Sequence, residues 1–252
     1  MGMKQILVMM AAVVLVGQSV VADEKLIVDP IVKDSVRYRL KKPEGELTNA
    51  DLEKVTRLNL GKTNITDEGL KEVAKLQKLE ELDLWRTKIT DEGLKEVSKL
   101  KQLKVLDLEG TKITDEGLKE VSKLKQLTSL ILPTQITDAG LKKVAKLQTL
   151  EGLDLGSTQI TDAGLKGVAK LLKLERLDLR YTKITDVSLK ELAKSQELSI
   201  LYLSNTKITD AGLKELAKLQ ELRILYLSNT QTTDAGVAEL KKAFPNCYIE
   251  GP

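Results

Sequence analysis

The apolar positions of the chain recur in a fixed frame with a period of about 24 residues. The units share the pattern Leu-x-x-Leu-x-Leu, as in Leu79, Leu82 and Leu84, with Val55 in the first leucine position of the first unit. In all but the last unit the pattern is followed by Ile-Thr-Asp. The alternation in this pattern predicts a short β-strand whose leucines point inward and whose intervening residues point outward. Further along each unit the apolar residues follow helical spacing, as in Leu70 and Val73, which predicts a helix with one apolar face.

The unit occurs eight times along the chain. The aspartate of Ile-Thr-Asp stands at positions 67, 91, 115, 138, 162, 186 and 210, and a Thr-Thr-Asp copy places another at 234. The step from 115 to 138 is shorter by one, because the fourth unit lacks a residue at Leu132-Pro133-Thr134. Each Thr-Asp pair is expected to cap the helix that follows by accepting hydrogen bonds from its free N–H groups. Neither strand nor helix can bury its apolar face alone, so stacked units with a continuous core are predicted.

Other patterns flank the repeats. Asp29-Pro30 predicts the N-cap and first residue of a helix over residues 30 to 40, and Thr48 predicts the start of a second, short helix. At the other end a helix is expected to end near Pro245, followed by a last short strand at 247–249. Cys247 is expected to be a small buried residue of this C-terminal cap, with an intermolecular disulfide as the alternative.

The repeat frame resembles the leucine-rich-repeat family. The match is to the subtype with Ile-Thr-Asp-x-Gly-Leu repeats, found in bacterial exported proteins and, with Cys or Asn at one turn position, in F-box-type cysteine-containing repeats. The resemblance implies an α/β solenoid shaped like a horseshoe, with a parallel concave sheet and convex helices. The repeats, about eight in number with a length of about 23–24 residues, would cover 47–252. The segment 23–46 would then form a capping helix and linker.

One position departs from the family pattern. Threonine replaces the family's Cys or Asn throughout, and its hydroxyl can both donate and accept hydrogen bonds. We expect it to substitute for the polar ladder that the family forms there. The threonines concerned are Thr63, Thr87, Thr111, Thr134, Thr158, Thr182, Thr206 and Thr230.

The segment 1–22 has the composition of a secretory signal peptide. Lys4 precedes an uncharged apolar stretch, and Val20-Val21-Ala22 fits a small-residue cleavage site. We therefore expect cleavage after Ala22 and an exported mature chain, periplasmic or extracellular. An uncleaved leader would instead remain as a membrane anchor.

Candidate binding residues are the outward positions that vary from unit to unit, because the family resemblance implies that ligands bind the concave sheet. The sole tryptophan and three of the five tyrosines fall at such positions, and aromatic residues outside a core are enriched at binding hot spots. The three tyrosines come from successive repeats and are expected to form one patch. The aromatic and basic candidates are Trp85, Arg86, Arg180, Tyr181, Tyr202 and Tyr226.

Acidic candidates occupy the same face. Asp83 and Asp107 are expected on adjacent strands about 4.8 Å apart, as are Asp154 and Asp178. Such pairs repel, and the frame places four cations near enough to compensate: Arg86, Lys104, Arg176 and Arg180. An ion-paired, solvated face is favoured over a calcium site, because no cage of loop carbonyls accompanies the carboxylates.

Composition narrows the class of function. The chain has no histidine and one cysteine, so it lacks the commonest general base and the usual ligands of a zinc site, and no cofactor or metal is expected. Its 40 basic and 37 acidic residues nearly balance, which argues against nucleic acid as a partner. The sequence therefore predicts a non-catalytic, extracytoplasmic module that binds a protein through its concave sheet. A carbohydrate- or envelope-binding protein, with sugars stacked on the aromatic residues, and a purely structural spacer are the alternatives.

Overall fold

In the computed structural model of the chain, residues 26–252 are described; the proposed leader lies outside them. These residues form a single parallel sheet whose strands follow one another in chain order. The strands are β1 Arg57–Asn59, β2 Glu81–Asp83, β3 Val105–Asp107, β4 Ser129–Ile131, β5 Gly152–Asp154, β6 Arg176–Asp178, β7 Ile200–Tyr202, β8 Ile224–Tyr226 and β9 Tyr248–Glu250.

Helices alternate with the strands from β1 onward, as in a solenoid with a concave sheet. The described helices are α1 Pro30–Leu40, α2 Asn49–Leu52, α3 Asp67–Val73, α4 Asp91–Val97, α5 Leu118–Val121, α6 Asp138–Val144, α7 Asp162–Val168, α8 Asp186–Leu192, α9 Asp210–Leu216 and α10 Asp234–Ala243. The predicted leucine-rich-repeat solenoid is confirmed.

The core is continuous and almost entirely aliphatic. Leu79, Leu82 and Leu84 of one unit are buried, and so are Leu70 and Val73 on the helix that precedes them. The same positions are buried in the other units, so neighbouring units share one core that none could form alone.

The capping helix predicted over residues 30 to 40 is α1. The side chain of Asp29 accepts a hydrogen bond from the Val32 backbone, and Val32 and Val36 are buried in the common core. At the other end β9 adds a final strand, with Tyr248 opposite Ile224. Cys247 is partly buried beside the core, and burial raises the pKa of its thiol.

The short fourth unit is absorbed in a turn. In the other units the residue directly before the repeat threonine has a left-handed backbone conformation, as Arg86 and Ser157 do. The fourth unit has no such residue at Pro133, yet Leu130 remains paired in register with Leu153. The deletion therefore removes a turn residue and leaves the strand pairing unchanged.

The aspartates of Ile-Thr-Asp connect neighbouring units, which corrects the predicted capping role. Asp138 accepts the backbone N–H of Thr161 in the next unit at 2.8 Å and the hydroxyl of Thr161 at 2.6 Å. The Thr161 hydroxyl in turn accepts the N–H of Ala163 at the start of its own helix. The threonine thus caps its own helix, whereas the aspartate binds the next unit. The same bridge recurs at Asp67–Thr90, Asp91–Thr114, Asp115–Thr137, Asp162–Thr185, Asp186–Thr209 and Asp210–Thr233.

This bridge explains the glycine that stands two positions after the aspartate in most units. A Cβ on Gly164 would lie closer to the Asp138 carboxylate of the preceding unit than real Cβ atoms approach. Ser188 replaces the glycine in one unit, and there its hydroxyl donates a hydrogen bond to the Asp162 carboxylate. The small residue therefore leaves room for the link between units.

The turn threonines do not form a ladder between units. The Thr87 hydroxyl donates to the Leu84 carbonyl of its own unit at 2.7 Å, and Thr158 does the same to Leu155 at 2.6 Å. In place of a stacked Cys or Asn ladder, seven of the eight turn threonines, all except Thr134, form a local hydrogen bond that closes the turn.

Candidate binding surface on the concave sheet

Two rows of side chains project from the concave side of the sheet. The row predicted from the sequence, here called the second row, follows the central leucine of strands β1 to β8: Asn59, Asp83, Asp107, Ile131, Asp154, Asp178, Tyr202 and Tyr226. Glu250, which follows Ile249 in β9, extends this row. The first row precedes each central leucine and was not predicted: Arg57, Glu81, Val105, Ser129, Gly152, Arg176, Ile200, Ile224 and Tyr248. Strand alternation already places both rows outward, so this signal was present in the sequence.

Three tyrosines stack at the C-terminal end of the concave face. The rings of Tyr202 and Tyr226 lie with centroids 4.8 Å apart and planes 3° apart. Tyr248 meets Tyr226 edge-on at 6.0 Å, and Tyr248 is 58% exposed. We call Tyr202, Tyr226 and Tyr248 the tyrosine stack. In-register pairing of β7 with β8 places Tyr202 directly opposite Tyr226, the geometry in which cross-strand aromatic pairs stabilise each other.

Two arginines extend the stack toward the centre of the sheet. The guanidinium carbons of Arg176 and Arg180 lie 4.9 and 5.2 Å from the Tyr202 ring centre. Arg180 also holds Asp178 through its Nε, at 3.0 and 2.8 Å from the two carboxylate oxygens. Asp178 is only 1% exposed, so it positions Arg180 and does not itself face solvent.

Tyr181 does not complete the expected three-tyrosine patch. It occupies the left-handed turn position with φ of 58°, is 62% exposed, and makes no ring contact with another aromatic residue in the described part of the chain. Tyr248 takes the third place instead. The reason is positional, because Tyr181 lies in the turn beyond its strand, whereas Tyr202 and Tyr226 lie within theirs.

Trp85 belongs to a separate cluster near the N-terminal end. The Lys62 ammonium lies 4.3 Å and the Arg86 guanidinium 4.9 Å from its ring centre. Both Lys62 and Arg86 occupy the left-handed turn position of their units. This cluster presents cations rather than a bare aromatic ring.

The acidic pairs are neighbours as predicted. Asp83 is in register with Asp107, and Asp154 with Asp178. Each of these four carboxylates also accepts the backbone N–H two residues further on, as Asp107 does from Glu109 at 2.9 Å. Such Asx turns end the strand, so these residues have a structural role beside any binding role.

Only one of the four expected cations compensates these acids. Arg180 pairs with Asp178, but Lys104 pairs with Glu80 at 3.1 Å, while Arg86 and Arg176 lie over aromatic rings. Among the described residues no basic side chain forms an ion pair with Asp83, Asp107 or Asp154.

Burial raises the pKa of Asp107 to about 6, against the lowering effect of its hydrogen bond from the Glu109 backbone. The negative charges of Asp83, Glu109 and Asp154 add to the rise. Burial likewise raises the pKa of Asp154, where the Asp178 charge contributes and the Arg180 charge opposes. The centre of the concave face therefore holds carboxylates that are costly to ionise.

Within residues 26–252 no three acidic or cysteine side chains converge as ligands. The acidic pairs share an edge of the sheet, but each carboxylate already uses one oxygen in its Asx turn.

Family comparison agrees with this architecture, and the chain belongs to the leucine-rich-repeat family. A family model described as a leucine-rich repeat region matches residues 90–248, and one described as a leucine-rich repeat matches residues 52–74 and 75–98. Among solved structures, internalin C2 from Listeria monocytogenes is similar, with a TM-score of 0.70 and 28% sequence identity over 89% of this chain and 93% of that one. No curated protein sequence matches the chain.

Proposed function

We propose that the chain is an exported, non-catalytic module that binds another protein through the concave sheet, chiefly at the tyrosine stack. Solenoids of this family commonly use their extended concave face for binding. The proposal is supported by the contacts between Arg176, Tyr202, Tyr226 and Tyr248, which form an ordered column in the unbound chain.

Preassembly favours tight binding for a physical reason. Association costs free energy for every flexible side chain that becomes fixed at an interface. Tyr202 and Tyr226 are already fixed by their mutual stacking, and Ile200 and Ile224 supply apolar surface on the same strands. The column therefore offers a large amphipathic contact area at little further entropic cost.

Sugar binding is less favoured by this geometry. Stacking of a sugar ring requires an exposed aromatic face. Along the column Tyr202 is flanked by Arg176 and Tyr226, and Trp85 is flanked by Lys62 and Arg86. Tyr202 and Trp85 therefore offer a stacking sugar less free ring face than an isolated aromatic side chain would.

The proposal of export rests on the segment 1–22, with its Lys4, apolar stretch and Val20-Val21-Ala22 ending. Within residues 26–252 no helix is both long and apolar enough to cross a membrane. Expression of the whole chain in a bacterial host, followed by cell fractionation and mass spectrometry, tests this part. A chain that begins at Asp23 is expected outside the cytoplasm, and an uncut chain retained in the cytoplasm would contradict export.

The binding proposal is tested by affinity capture from envelope and medium extracts with the chain from residue 23. Tyr202→Ala combined with Tyr226→Ala should abolish capture of whatever the wild type retains, while circular dichroism remains unchanged. The matched control is Leu172→Ala combined with Val187→Ala, because both residues are exposed and apolar but lie outside the concave rows. Equal capture by the tyrosine variant, or equal loss in the control, would contradict the proposal.

A further inference from the structure

A groove lies at the N-terminal end of the concave face, away from the tyrosine stack. Its volume is about 710 Å³, within the size range of ligand sites in proteins. Helix α1 forms one wall with Asp34, Tyr38 and Arg39, and strands β1 to β4 form the floor. Tyr38 is 88% exposed at the rim, an unusual degree of exposure for a large aromatic residue.

The groove has an excess of negative charge. Its lining includes four carboxylates, from Asp34, Glu81, Asp83 and Asp107, against two basic side chains. One of those cations, Arg57, is already paired with Glu81 at 3.0 Å. Asp83 accepts a hydrogen bond from the neutral Asn59 amide, and Asp107 forms no ion pair with any described residue.

The floor also contains apolar surface beside these carboxylates. Val105 lies in the strand of Asp107, and Ile131 is the in-register neighbour of Asp107 on β4. A lysine or arginine side chain combines a long apolar stem with a terminal cation. The stem would cover Val105 and Ile131, the cation would reach Asp83 and Asp107, and the Tyr38 ring offers a cation–π contact at the rim.

We propose that this groove receives a lysine- or arginine-bearing segment of the protein partner. This proposal rests on the proposed function and deepens it, because it states which part of the partner contacts each end of the concave face. A basic segment binds over β1 to β4, and the remainder of the partner covers the tyrosine stack over β7 to β9. Charge complementarity of this kind fixes register and accelerates encounter more than it adds affinity.

The probe is a fluorescein-labelled nonapeptide, Lys-Leu-Gly repeated three times, with Glu-Leu-Gly repeated three times as its counterpart. Fluorescence anisotropy at low ionic strength should show binding of the lysine peptide and none of the glutamate peptide. Asp83→Asn combined with Asp107→Asn should weaken binding of the lysine peptide about tenfold. Asparagine preserves the Asx turn, since Asn59 accepts the Gly61 N–H from the same row.

The matched control changes net charge equally on the convex side. Glu68→Gln combined with Glu92→Gln removes two exposed helix carboxylates, each paired with a lysine of its own helix. This variant should bind the lysine peptide like the wild type. An equal loss in the control, or no loss in the aspartate variant, would overturn the proposal, and displacement of the peptide by millimolar calcium would reassign the groove to a cation.

The groove and the tyrosine stack can be tested separately. The variant Tyr202→Ala with Tyr226→Ala should lose the captured partner and still bind the lysine peptide. Indifference of the wild type to the charge of the peptide would refute the groove alone, whereas retained capture by the tyrosine variant would refute the stack.

Discussion

Replacement of Asp107 by asparagine should make the protein more stable at neutral pH, because this carboxylate is held ionised at a cost. Its pKa is raised from 3.8 to about 6, mainly by burial. A rise of that size corresponds to at most about 3 kcal/mol, and partial exposure to solvent reduces the expected effect to about 1 to 2 kcal/mol. An asparagine at this position would keep the turn acceptor, as Asn59 does two strands away.

The sign of the pH dependence follows from proton binding. Between about pH 4 and pH 6 the folded chain binds more protons at Asp107 than the unfolded chain, so the stability contributed by this group falls as pH rises through that window. The penalty is complete above about pH 6 and absent below about pH 4. The variant should therefore gain stability near neutrality and match the wild type in acid.

Urea unfolding followed by circular dichroism at about pH 7.5 and about pH 4 measures this difference. Asp210→Asn provides a control of opposite sign, because hydrogen bonds from the Thr233 backbone and hydroxyl lower the pKa of Asp210. Its charge stabilises the fold, so Asp210→Asn should destabilise the protein at neutral pH. A loss of stability in Asp107→Asn near neutrality would refute the account of an uncompensated acidic centre.

Three further substitutions test the structural account by chemical unfolding. The hydroxyl of Ser195 is buried without a hydrogen-bond partner among the described residues, and other repeats have leucine at this position. Ser195→Leu should therefore raise the free energy of unfolding by about 1.5 to 3 kcal/mol. A lower free energy of unfolding in the variant would mean that the core has closed around the serine. Gly164→Ala should lower the free energy of unfolding by about 1 to 3 kcal/mol, because the new methyl group would meet the Asp138 carboxylate. An unchanged free energy of unfolding would contradict the proposal that the glycine leaves room for the bond between Asp138 and Thr161. Tyr181→Asn should stabilise by about 1 kcal/mol, because asparagine tolerates the left-handed conformation and stands there as Asn205 in the next repeat. An unchanged midpoint of chemical unfolding would show that the backbone of Tyr181 is not strained.

The regular part of the fold follows from the sequence alone. The spacing of Leu79, Leu82 and Leu84 sets the inward face of a strand, and Asp29-Pro30 sets the start of α1. Both signals are local, since each depends on residues within a single turn or strand. The strand order is then dictated by repetition, because similar units stack on their neighbours in chain order.

The contacts that could not be predicted from the sequence are those of side chains that have several possible partners nearby. The Asp138 carboxylate could cap its own helix or bind the next unit, and only packing shows that it binds Thr161. Arg176 could pair with an aspartate or lie over Tyr202, and it lies over the ring. In both cases the alternative partners are equally near in the repeat frame, so spacing alone does not decide between them.

One stretch departs from the repeat pattern more than the others. Between β6 and β7, Tyr181 takes the left-handed turn position, Ser188 replaces the small glycine and Ser195 replaces a core leucine. The same unit supplies Arg180, which contacts both Asp178 and Tyr202 of the tyrosine stack. Ser188 lies on helix α8 and Ser195 follows that helix, so of these residues only Tyr181 and Arg180 adjoin the strands of the concave sheet.

Site-specific photo-cross-linking can show whether the partner binds through the concave face. A photoreactive residue placed at Ile200, in the first row beside the tyrosine stack, is compared with one placed at Val187, exposed on α8 of the preceding unit. If the partner binds the concave face, it cross-links from position 200 and not from position 187. Cross-linking from position 187 alone would contradict binding through the concave face and would assign binding to the helical face.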